Sequence, residues 1–259
     1  MDHRLTRLFF PIVIVIIISL ACTSPLQPAA TTTPEPSATP IPTDTATPDP
    51  TPTFTSTPDR AAEATAAAQV VIDQFRAEMG DHDISTDSGH LGWVQDMPIK
   101  LNLVGGDGLE YRTLAAGMEA GDFILKTDIT WNNLGDAVIN CGLVFRADSR
   151  FNDGERYEFW IRRFSGLPLW EIQFWDGMEY VATNSTQSSG ALYQANGATN
   201  QIIIVAEDNA FTIFINGILQ MKVNDPNSLR SDGQFGVVGS RNTGNLSCEF
   251  ENSIIWVTR

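Results

Sequence analysis

The sequence predicts an all-β fold: a two-sheet antiparallel jelly-roll sandwich, preceded by an Ala-rich helix and a disordered linker. After Gly80 the apolar residues recur with period two rather than 3.6. Tight-turn dipeptides separate the alternating runs, most clearly Asn216-Gly217 between Phe211–Ile215 and Ile218–Met221. Many short strands with no helix between them mean a sandwich or jelly roll rather than an α/β fold.

The chain has 259 residues. Residues 1–22 read as an export signal: Arg4 and Arg7 open it, and Leu8 to Ala21 is an apolar run of 14 residues. A spanning helix needs about 20. Ser19-Leu20-Ala21-Cys22 follows, and it resembles the bacterial lipobox, in which the cysteine is acylated and becomes the new N-terminus. The resemblance makes Cys22 a lipidation site and implies a membrane partner through buried acyl chains, worth about 0.8 kcal/mol per methylene. A signal cleaved without acylation, or an uncleaved anchor, are the alternatives.

Residues 23–59 form a linker. They hold 12 threonines and 10 of the chain's 14 prolines. With almost no large apolar side chain, the segment cannot bury enough surface to offset the entropy of ordering it. Extended at about 3.1 Å per residue, it reaches up to ~115 Å. Residues 60–79 read as a helix capped by Asp59 and stopped by Gly80. Ala64, Ala67, Ala68, Val71, Phe75 and Met79 make one stripe, whose last two turns are expected to pack on the domain. The period lasts too few heptads for a coiled coil, so a monomer is expected.

Residues 80–259 form the domain. Its strands are expected at 91–95, 98–104, 109–115, 122–131, 140–147, 156–163, 169–175, 179–184, 200–206, 210–215, 218–223, 234–240 and 246–257. This part carries 23 acidic and 12 basic side chains, a balance that repels polyphosphate and excludes nucleic acid as a partner. With Cys22 acylated, Cys141 and Cys248 remain, and outside the cytoplasm such a pair suggests a disulfide. The long loop it closes is worth about 4–5 kcal/mol on entropy grounds. Two buried free thiols are the other reading. No CxxC is present and there are only 3 histidines, so no resident cofactor is expected.

Gly142-Leu143-Val144-Phe145-Arg146-Ala147, Tyr157-Glu158-Phe159-Trp160-Ile161, Phe211 to Gly217 and Gly233-Gln234-Phe235-Gly236-Val237 together resemble the concanavalin A-like lectin/glucanase superfamily. They are most similar to its laminin G-like and 3-keto-disaccharide hydrolase-type domains. The resemblance covers about residues 109–259. It implies two curved antiparallel sheets with glycan bound on one face. Combined with the signal and linker, it implies an extracytoplasmic lipoprotein held at a bacterial cell surface.

The hairpin 156–163/169–175 carries the candidate site. Alternation sends Tyr157, Phe159, Ile161, Trp170, Ile172 and Phe174 to the core. It sends Glu158, Trp160, Arg162, Glu171, Gln173 and Trp175 to the opposite face, with Arg146 and Asp128 expected to extend it. Two exposed indoles among carboxylates, a guanidinium and an amide suit a sugar: rings stack on C–H faces while polar groups bond hydroxyls. Asp148, Asn152 and Asp153 supply oxygen ligands of the kind Ca²⁺ takes. No Glu-x-Asp-x-Glu strand, GxSxG elbow or triad stands out, so no catalytic residue is assigned. The expected function is an anchored carbohydrate-binding module. A glycoside-acting enzyme and an adhesive scaffold for a protein partner are the alternatives.

Overall fold

The computed structural model describes residues 60–259, apart from 107, 135–137, 185 and 226–228. The export signal, Cys22 and the Thr/Pro-rich linker lie outside the described residues. No helix among the described residues is long and apolar enough to cross a membrane.

A helix, α1 (Arg60–Gly80), leads into strands that all pair antiparallel. One sheet has seven strands among the described residues. These are β1 (His90–Val94), β2 (Ile99–Val104), β5 (Phe123–Leu134), β11 (Thr199–Glu207), β12 (Ala210–Ile215), β13 (Ile218–Asn224) and β15 (Asn245–Val257). The other has eight. They are β3 (Gly108–Thr113), β4 (Glu119–Ala120), β6 (Ile139–Ala147), β7 (Arg156–Phe164), β8 (Leu167–Asp176), β9 (Glu179–Thr183), β10 (Gln187–Ser188) and β14 (Gly233–Arg241). Every strand the alternation predicts is present. The two it does not predict, β4 and β10, have two residues each and are too short to show a period. The Asn216-Gly217 hairpin forms, with both residues in the left-handed region that a two-residue I′ turn needs (φ 49° and 76°).

The inner faces of the two sheets make one core. Tyr157, Phe159, Ile161, Trp170, Ile172 and Phe174 all lie in it, opposite Leu125, Ile204, Phe211 and Ile213. Edge-on aromatic contacts knit the layers: Phe123 meets Phe235 at 4.8 Å and Tyr157 meets Phe211 at 4.8 Å between ring centres. A disulfide joins Cys141 of β6 to Cys248 of β15, so it ties one sheet to the other across 107 residues of chain.

The outer face of the seven-stranded sheet is also apolar, and α1 covers it. Phe75 and Met79 bury against Ile124, Ile203, Val205, Phe214, Ile254 and Trp256, with the Phe75 and Trp256 rings stacked at 5.8 Å. Glu78 pairs with Lys126 and accepts a hydrogen bond from Gln201 (2.9 Å). Only the end of the expected stripe is used. Residues 65–70 are exposed, Ala67 and Ala68 included, because α1 meets the sheet with its C-terminal half alone.

Two residues expected on the candidate face are elsewhere. Asp128 lies on β5 of the other sheet, where it accepts from Asn252 (2.8 Å). Arg146 is 1% exposed and turns inward. Its φ of 44° and a shift in register between β6 and β14 break the strict alternation there. Its guanidinium lies over the Phe211 ring (5.1 Å), donates to the Gly121 carbonyl (2.9 Å) and pairs with Asp122 (3.5 Å). Burial pulls its pKa below the ordinary arginine value, against the opposing pull of Tyr157 and Asp122.

Candidate functional site

Among the described residues, no helix lies over the outer face of the eight-stranded sheet. Across β7 and β8, Arg156 stands opposite Trp175, Glu158 opposite Gln173, and Trp160 opposite Glu171. A groove of about 350 Å³ lies here. Glu158, Trp160, Arg162, Gln173 and Trp175 all line it; Glu171 does not, and sits beside Arg162 with its carboxylate buried. Exposed Leu109 and Met178 form part of the rim.

The two indoles share this face but not in the expected way. Trp160 is only 4% exposed, so it is a floor and not an open stacking surface. The reason lies across the strand pair, where β6 offers Gly142 opposite Trp160. A Cβ on Gly142 would come within 3.0 Å of the indole and 2.5 Å of the Phe159 carbonyl oxygen, so the missing side chain is what lets the ring sink. Val144, Phe151 and Val238 close around it. Trp175 is half-buried. It is four positions further along the paired strands, roughly 13 Å away at the usual rise per residue.

Arg156 holds the site together. Its guanidinium is placed against both the Tyr111 ring (5.3 Å) and the Trp175 ring (5.4 Å). It donates to Glu158 (2.6 Å), to the Tyr111 hydroxyl (3.1 Å) and to the carbonyls of Gly154 and Gly177 (2.9 Å each). One buried cation thereby fixes two rings, a carboxylate and two turns. Arg162 lies over the Trp160 ring at 5.6 Å and pairs with Glu171. Burial lowers the pKa of this guanidinium, while Glu171 beside it opposes the shift.

Both carboxylates are fully engaged. Glu158 accepts from Arg156, from the Tyr111 hydroxyl (2.7 Å) and from the Trp160 indole N–H (2.9 Å). Glu171 accepts from the Thr186 hydroxyl (2.6 Å), Gln173 and Arg162. Burial raises the Tyr111 phenol above its ordinary pKa, and the Glu158 charge adds to the rise. Trp175 donates its indole N–H to Gln173 (3.2 Å).

In the loop expected to offer calcium ligands, Asp148 accepts from the Ser149 amide (2.9 Å) and Asp153 pairs with Arg150 (3.5 Å). Asn152 faces the groove instead. No group of three metal-ligating side chains gathers among the described residues.

Tyr111 and Arg156 are additions that the sequence reading lacked, and Asn152, expected there only as a calcium ligand, joins the groove lining. Arg156 was within reach, since it continues the outward alternation 156, 158, 160, 162. Tyr111 was not: it arrives on β3, which joins the sheet only through β14.

No family model and no curated protein sequence matches the chain. Among solved structures it is similar to the carbohydrate-binding module CBM66 from Bacillus subtilis, with 17% identity, 61% of this chain and 94% of that one covered, and a TM-score of 0.44. It is similar to a Bacillus licheniformis β-glucanase with 10% identity, coverage of 68% and 88%, and a TM-score of 0.43. A legume lectin-like domain from Entamoeba histolytica gives 12% identity, coverage of 66% and 89%, and a TM-score of 0.44. These neighbours are concanavalin A-like lectin- and glucanase-type sandwiches. Each is a likeness of fold at low identity, and what the groove can do rests on its own side chains.

Proposed function

We propose that the chain is an exported, membrane-tethered binding module whose groove on the eight-stranded sheet takes carbohydrate. The observation that carries this reading is the groove's construction: planar and polar side chains locked in place on an otherwise uncovered face. Gln173, Asn152, Ser240 and Arg162 offer amide, hydroxyl and guanidinium groups beside the Trp175 and Tyr111 rings. A sugar presents hydroxyls and C–H faces together, and this lining answers both. An apolar ligand would strand the charges, and the chain's net charge of −15 disfavours nucleic acid. The signal-like residues 1–22 support export, and so does the Cys141–Cys248 disulfide, which suits an oxidising compartment.

Binding is favoured over hydrolysis. A general acid or nucleophile must reach the ligand. Glu158 and Glu171 are 1% and 4% exposed, and their oxygens are already occupied by protein donors.

The test is a glycan array followed by calorimetry on the best ligand. Trp175→Ala and Gln173→Ala are expected to weaken binding at least about tenfold, the loss of one good contact of ~1.4 kcal/mol. Specific binding that survives both changes would place the site elsewhere. Binding to intact cells but to no extracted glycan would favour a protein partner.

A further inference from the structure

We propose that the groove selects a sugar carrying a single carboxylate, and that Arg162 is the residue that reads it. This deepens the carbohydrate reading above and rests on it.

Four charges are built into this face, two of each sign, but they do not reach the solvent equally. The side chains of Arg156, Glu158 and Glu171 are 4%, 2% and 5% exposed, whereas that of Arg162 is 28% exposed. A ligand entering the groove therefore meets one cation. The carboxylates that balance the network lie beneath the surface. The rest of the polar lining is neutral: Tyr111, Asn152, Gln173 and Ser240. Asp176 and Glu179, on the β8–β9 turn, do not line the groove.

Arg162 is also prepared for the task. The Trp160 ring supports the guanidinium from one side, and Glu171 holds one of its terminal nitrogens. Its Nε is buried and makes no hydrogen bond, so what the guanidinium can offer a ligand is its terminal nitrogens. A guanidinium held by Glu171 at one terminal nitrogen, with its exposed part left to the groove, meets a carboxylate's charge better than a neutral hydroxyl. The number of carboxylates is limited by the rest of the molecule. Around a body with net charge −15, a polyanion is repelled at long range, and one short-range contact cannot offset that. The fitting ligand is a mostly neutral glycan with an isolated acidic residue.

The experiment uses oligosaccharides that each carry one uronic acid, paired with twins whose carboxyl has been reduced to an alcohol. Calorimetry on the full domain with α1 is expected to give at least a tenfold preference for the acid form. Arg162→Gln is expected to erase that preference, so that the acid and its reduced twin bind within about twofold of each other, whatever the overall affinity. Arg162→Lys, which keeps the charge but not the fork, is expected to retain part of it. Thermal melting checks that the variants fold; should Arg162→Gln not fold, the acid-to-twin ratio in the unaltered protein and in Arg162→Lys decides. Equal binding of acid and twin by the unaltered protein overturns the proposal and leaves carbohydrate binding standing. Neutral glycans bound on the array, with every acidic oligosaccharide ignored, does the same. No glycan of either kind bound removes both readings.

Discussion

On the seven-stranded sheet, Ile124, Ile203, Phe214 and Trp256 point away from the core and stay dry because α1 lies over them. On the eight-stranded sheet, Val144, Val238 and Trp160 also point away from the core, yet no helix among the described residues covers them. Both faces even place an arginine on an outward tryptophan. Arg76 of α1 lies over Trp256 at 5.0 Å, and Arg162 of β7 lies over Trp160 at 5.6 Å. The difference is where the cover comes from. One face borrows a separate element and becomes a second core. The other is protected by side chains of its own strands and the neighbouring loop, which hide the rings but leave room for a groove. A dry face can thus be made by adding a layer or by locking polar side chains together, and only the second leaves something for a ligand to meet.

Removing the cover from the first face should have the largest effect. The double change Phe75→Ala/Met79→Ala is expected to cost about 5 kcal/mol or more, comparable to the whole stability of a domain this size. Urea titration should find the variant unfolded or aggregating. A soluble variant with an unchanged midpoint would mean that α1 is ornamental.

Breaking the lock on the second face comes next. Glu158→Gln leaves the buried Arg156 guanidinium uncompensated and is expected to cost about 3 kcal/mol. Replacing both partners, as Arg156→Met/Glu158→Leu, should recover only part of that loss, since it removes the lone charge but strands the Trp160 indole N–H, the Tyr111 hydroxyl and the carbonyls of Gly154 and Gly177. That double variant should have lost its ligand. If it is as unstable as Glu158→Gln alone, the network does more than balance charge.

The smallest effect is on pH. Tyr111 of the groove face is held protonated by burial and by Glu158, so its folded pKa lies above the unfolded value of about 10. Stability from this group is therefore complete below pH about 10 and is lost as pH rises beyond it, because the unfolded chain gives up its proton first. The Tyr157 phenol is raised in the same direction by burial and by its hydrogen bond to Asp225. Tyr111→Phe is expected to cost about 1–2 kcal/mol at neutral pH and to make the alkaline decline shallower. Melting curves between pH 8 and 11, as a rough range around that pKa, check this. An unchanged slope would mean that Tyr111 carries none of the decline.

The strands were legible because burial on one face forces a period of two, and the hairpin 156–163/169–175 sorted its inner six residues correctly for that reason. The helix ending at Gly80 was legible from its stop and from the Phe75 and Met79 end of its apolar stripe. The outward face was harder to read. Alternation says that Trp160 points out; it does not say whether the neighbouring strand leaves a recess beneath it. That depended on Gly142 opposite, a pairing that requires the register of β6 against β7. Arg146 was misplaced because it is itself left-handed and sits beside the register shift between β6 and β14, where the alternation of β6 breaks. The Arg156 clasp joins β7, β8 and β3, strands whose adjacency is set by topology rather than by local pattern.

Gly142 bears on how such a surface can change over time. The hollow that faces the solvent is deep only because one hydrogen stands where other residues have a methyl group. A methyl at that position would drive the indole upward and shift the backbone beside it. The shape offered to a ligand is therefore governed from underneath, by a position no ligand reaches, and it can be remodelled while every contacting side chain stays the same.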